Sequence, residues 1–104
     1  MFRSGTKVVV EIPDALDPAA ADQKYVEPLR LLLAENHAGL IVAVAQGAPK
    51  MPDEFTRIIT LELTDFDGGF DLVGEFLTVN EAPPGTLICI HDADDNVVDR
   101  FILT

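Results

Sequence analysis

The sequence predicts an α+β fold. It reads as a ferredoxin-like β-α-β-β-α-β unit with an additional C-terminal β-strand, the helices on one face of a mixed or antiparallel sheet. Three observations lead there. Arg57 to Phe76 (RIITLELTDFDGGFDLVGEF) passes from strand alternation through a turn into helical spacing without a break. Two helical stretches each lie between strand-like stretches, so each β-α-β unit can close right-handed and the units join antiparallel. Leu40 to Ala45 (LIVAVA) is apolar throughout, the pattern of a strand covered on both sides.

The elements follow in order. Val8, Val10 and Ile12 alternate with Lys7, Val9 and Glu11, which is period two and a first strand, ended by Pro13 and Asp14. Asp17-Pro18 signals a helix start, since proline is tolerated in the first turn. That helix runs to about Asn36, with Tyr25, Val26, Leu29, Leu32 and Leu33 on its apolar side. Pro28 removes a donor and crowds the preceding turn, so a kink or a restart near Val26 is expected. Ala38-Gly39 stops the helix. After the second strand, Gln46 to Phe55 reads as a loop broken by Pro49 and Pro52. Ile59, Leu61 and Leu63 then alternate with Thr60, Glu62 and Thr64 as a half-buried strand. Phe66, Phe70, Val73, Phe76 and Leu77 recur at helical spacing, and Asp65 or Asp67 suits the N-terminus of that helix. Glu81 to Thr86 ends it. Leu87 to His91 and Val97 to Leu103 are the last strands, with turn chemistry from Ala93 to Asn96.

A length of 104 residues allows one domain. Eighteen acidic side chains against seven basic ones leave a net charge of -11. Such a surface repels phosphate, which argues against nucleic acid and anionic membrane and favours a basic protein partner. The single cysteine, Cys89, excludes an internal disulfide, and the N-terminal residues lack a long apolar run. A cytoplasmic protein is expected. Val9, Ile58, Ile88 and Ile90 fall out of phase with the helix-facing positions. The uncovered sheet face is therefore expected to be apolar and to meet a second copy, giving a homodimer, or a partner. The bland alternative is that the C-terminal strand and the proline loop fold over it.

Chemistry-bearing residues are sparse. Cys89 and His91 share a strand face and form a candidate pocket. They supply two metal ligands where zinc needs three or four, and no nucleophile motif accompanies His91. His37 follows a helix end, where a cation suits the dipole. Asp65, Asp67 and Asp71 resemble a calcium loop, but the twelfth position is Phe76 where a glutamate is needed. Capping explains them better, and hairpin-turn chemistry explains Asp92, Asp94, Asp95 and Asn96. These six aspartates, with Lys50 and Met51 in the proline loop, are the candidate interaction residues. No metal, cofactor or catalytic residue is assigned.

The segments VEPLRLLLAENHAGLIVAV, IITLELTDFDGGFDLVGEFL and EAPPGTLI together resemble small uncharacterised bacterial α+β proteins. In those, an EPL-type helix leads into a glycine-rich strand-loop, followed by an acidic alternating strand and helix. This chain departs at AVAQGAPK, which has fewer glycines. The resemblance implies a ferredoxin-like fold and no enzyme activity. Some acidic bacterial proteins of this size act as immunity partners of toxins. The expected function is thus a non-enzymatic, acidic protein-interaction module, an immunity or regulatory partner of a basic protein. The alternative is a small-molecule-binding or enzymatic ferredoxin-like dimer with its pocket on the open sheet face.

Overall fold

Period-two alternation builds a five-stranded sheet in the computed structural model, which describes residues 6–14, 18–47, 55–64, 66–92 and 96–102. The strands are β1 (Thr6–Asp14), β2 (Gly39–Gly47), β3 (Phe55–Leu63), β4 (Leu87–His91) and β5 (Val97–Ile102). Their order across the sheet is β2-β3-β1-β4-β5, and every neighbouring pair is antiparallel. The fold is α+β. Of the two sheet types expected, the antiparallel one is found; β2, expected to be covered on both sides, is an edge strand with Leu40 and Val42 about half exposed.

One face of the sheet carries the core. Val8 lies between Leu61 and Ile90, and Val10 between Ile59 and Ile88; all are buried, with Ile12 and Leu63. Ile88 and Ile90 were expected on the other face, and the pairing corrects this. β4 sets Cys89, not an isoleucine, opposite Val9, so its two isoleucines join the helix-covered side. Val9 and Ile58 do lie on the side away from the described helices, with Lys7, Glu11, Thr60 and Glu62, since each is one residue out of phase with the buried set.

The first crossover is helical in three pieces: α1 (Pro18–Ala21), a π turn (Asp22–Val26) and α2 (Glu27–Glu35). The break falls where Pro28 demands it. Its ring crowds the carbonyl of Lys24, four residues back, and it offers no N–H to it. Widening the turn by one residue relieves both problems, and the Glu27 N–H donates to the Asp22 carbonyl. The interruption leaves the apolar side continuous, because Tyr25, Val26, Leu29 and Leu33 are all buried in the core. Arg57 of β3 pins the π turn to the sheet. Its Nε and Nη2 both donate to Asp22 Oδ1, at 2.8 and 2.7 Å.

The second crossover is one helix, α3 (Phe66–Val79), which buries Val73, Phe76 and Leu77 against the same face. Phe70 packs at its edge, and its ring centroid is 5.0 Å from that of Phe101 on β5. This contact ties the outermost strand to the helical layer.

Both helices end in the same way. Asn36 Nδ2 donates to the Leu32 carbonyl at 2.8 Å, and Asn80 Nδ2 to the Phe76 carbonyl at 2.9 Å. The next residues, His37 (φ 51°) and Glu81 (φ 56°), are left-handed. The following N–H groups, of Ala38 and Ala82, reach back to the Leu33 and Leu77 carbonyls. These are Schellman closures with non-glycine residues at the left-handed position. The stop expected at Ala38-Gly39 is therefore corrected by one to two residues. Gly39 already belongs to β2, where an added Cβ would overlap the Glu62 carbonyl oxygen. Glycine there permits close approach of the two strands. The Thr64 N–H and hydroxyl lock the corner by donating to the Ala38 and His37 carbonyls at 2.8 and 2.9 Å.

The β2–β3 ladder continues through Gln46↔Arg57 and Gly47↔Thr56, so Gln46, Gly47 and Phe55 are strand rather than loop. Lys50 and Met51 lie outside the described residues. The two inner pairings are regular, whereas β2–β3 shifts register between Ile41 and Ala43, and β4–β5 between Ile90 and His91. Among the described residues, no helix is long and apolar enough to cross a membrane.

Candidate functional site

Antiparallel pairing decides where the aspartate-rich turns fall. Leu63, the last residue of β3, is opposite Thr6, and His91, the last of β4, is opposite Lys7. Both strands therefore end at the same end of the sheet, on either side of β1. The segment after Leu63 carries Asp65, Asp67 and Asp71; the segment after His91 carries Asp92, Asp94 and Asp95. They leave the sheet two strand spacings apart, about 10 Å. The α2–β2 corner joins them, since Thr64 bonds to His37 and Ala38. Glu35, Glu62, Asp71 and Asp92 are exposed at this end. At the far end, Asp22 and Glu81 share the surface with Lys24 and with Arg57, which neutralises Asp22 directly.

Asp92 has a clear structural part in this. Its N–H donates to the Asn96 carbonyl at 2.9 Å, and its Oδ1 accepts the Asn96 N–H at 3.0 Å. It thereby closes the β4–β5 hairpin. Asp71 is exposed on α3. Asp65, Asp94 and Asp95 lie outside the described residues, and Asp67 is described by its backbone alone, as part of α3. Glu35 and Glu62 join the acidic end although sequence reasoning passed over them. Nothing local marks them; only the strand order does.

The second candidate, Cys89 with His91, sits on the uncovered face of β4. Cys89 lies between Val9 and Arg100, and His91 between Lys7 and Val97. Cys89 is only 5% exposed. Burial pushes its thiol up from the ordinary cysteine range, nearby Glu11 pushes the same way, and Arg100 opposes both with its charge and a hydrogen bond. Near neutral pH the sulfur is a thiol, which is the weakly nucleophilic and weakly metal-binding form. Among the described residues, no group of three or more His, Cys, Asp or Glu side chains could hold a metal ion. His37 is exposed, and its left-handed backbone ends α2.

Comparison with known proteins gives no match to a family model, a curated protein or a solved structure.

Proposed function

We propose that the protein is a non-enzymatic protein-binding module that uses the acidic end of its sheet to cover a basic surface on a partner, in an immunity or regulatory role. One observation carries this reading. Two aspartate-rich segments, far apart in the sequence, depart from the same end of the sheet. A concentrated negative patch steers a basic partner and fixes its orientation far better than the same charges scattered. The proposal includes a ferredoxin-like architecture. The order β2-β3-β1-β4, with one helical crossover between β1 and β2 and one between β3 and β4, supports that description, and β5 extends it beside β4.

The competing proposal is a ligand pocket on the open face at Cys89 and His91. A protonated, largely buried thiol gives it little reactive chemistry.

The test uses the intact chain as bait to purify a bound protein, followed by titration calorimetry across ionic strength. The expected result is a basic partner whose affinity falls steadily with salt. Asp65→Asn, Asp67→Asn, Asp92→Asn and Asp94→Asn combined should weaken it about a hundredfold. Asparagine keeps an oxygen for the Asn96 N–H, so the hairpin survives. An affinity indifferent to salt, or an unimpaired quadruple variant, overturns the reading.

A further inference from the structure

The open face differs in charge from the rest of the molecule. Lys7 and Arg100 balance Glu11 and Glu62 there, in a chain of net charge -11. Around them stand Val9, Ile58 and Leu87, all half-buried, and Cys89. No helix from among the described residues packs against this side, because the helices join the core of Val8, Val10 and Ile12.

The middle strand gives this neutral face a direction. On its open side β1 presents Lys7, Val9 and Glu11 in succession: a cation, an apolar centre and an anion, each step about 7 Å. We propose that this face docks a second copy of the chain about a two-fold axis that crosses β1 at Val9, perpendicular to the strands. That operation sets Lys7 against the partner's Glu11 and Glu11 against the partner's Lys7. Val9 and Cys89 meet their own copies at the centre. Facing sheets stand about 10 Å apart, a gap that a lysine and a glutamate span together. The usual rotation of about 30° between packed sheets is about the sheet normal; with that normal through Val9, it displaces β1, the middle strand, least.

A second feature selects this axis over the alternative. An axis parallel to the strands would stack the two acidic ends on each other. The axis through Val9 sends them to opposite ends of the dimer, beyond the reach of screened repulsion, about 8 Å at physiological salt. It also leaves both acidic ends accessible, so the dimer neither requires nor excludes the basic partner proposed above. The footprint is about 24 Å across five strands and about 17 Å along them, roughly 400 Å² per copy and about 800 Å² in total, which is below the range of stable interfaces and in that of weak, transient ones. The dimer is accordingly reversible and concentration-dependent.

Sedimentation equilibrium on the purified chain tests this through a charge exchange. The wild type should associate reversibly in the micromolar range. Lys7→Glu and Glu11→Lys should each weaken self-association about tenfold or more, since each places like charges face to face. An equimolar mixture of the two should restore a dimer containing one of each, and so should the double variant with itself. Circular dichroism reports whether each variant folds. Should a charge-reversed variant unfold, Lys7→Gln and Glu11→Gln carry the same test with a smaller loss. A wild type that stays monomeric at every concentration overturns the proposal. So does a mixture that associates no better than its components, and so does a dimer broken by Glu62→Lys but indifferent to Glu11→Lys.

Discussion

The two sides of β1 do different work with the same backbone. Toward the helices it presents Val8, Val10 and Ile12, each at most 1% exposed. Away from them it presents Lys7, Val9 and Glu11, all half-buried. The first set is held by packing from both neighbouring strands and from the helical layer. The second has strand neighbours, and none of the described helices lies above it. Stability is therefore concentrated on one side of a sheet one residue thick, and the other side is left to be chosen for what it meets.

Matched truncations break this comparison most sharply. Leu61→Ala on the covered side removes a fully buried side chain among Val8, Ile41 and the helices, and should cost about 3 kcal/mol. Ile58→Ala on the open side, three residues earlier, should cost about 1 kcal/mol or less, because its side chain is already partly in water. Urea denaturation of the monomer measures both, and equal losses would mean that the open side is covered after all. Gly39→Ala is the next largest effect, at about 2 kcal/mol. The new methyl group meets the Glu62 carbonyl, and backbone cannot move aside as a side chain can. It should loosen the corner where α2 enters the sheet, visible as faster amide exchange at Thr64.

His37→Gly works in the other direction. A left-handed residue with a Cβ is strained, so glycine should raise stability by roughly 0.5–1 kcal/mol in the same denaturation experiment. The smallest effect belongs to the open side. The Cys89 thiol titrates higher in the folded chain than in the unfolded one. Its proton is bound in both states below the unfolded value, so it makes no difference there. Above about pH 8.5 the unfolded chain releases the proton first, and stability declines through that window. Cys89→Val should flatten this alkaline decline in melts recorded from pH 7 to pH 10. An unchanged slope would mean that the thiol is as well solvated folded as unfolded.

Much of this architecture was readable from single residues. The alternation of β1 and β3 named their buried sides correctly because each has polar residues on the other side. β4 gave no such handle: in Leu87-Ile88-Cys89-Ile90 every side chain is apolar, and only its pairing with Val8 and Val10 shows which ones turn inward. Pro28 marked where the first helix must break, but nothing local shows that Arg57 of β3 holds the resulting π turn through Asp22, a contact 35 residues away in sequence. Each group of aspartates was visible by itself. Their common end was not, since it follows from strand order alone.

The irregularities in the outer strands have a consequence for molecules this sheet must not join. β2 carries no charged residue from Gly39 to Gly47, and Leu40 and Val42 are about half exposed. Such an edge ordinarily invites a foreign strand to zip along it. The shifted register at Val42 changes the phase midway, so that Ile41 and Val44, rather than alternate residues, share a side. A straight strand added from outside can match the side chains before the shift or those after it, but not both. The shift in β5 does the same at the opposite margin. The sheet thus limits its own growth by interrupted rhythm where other proteins use lysine or proline.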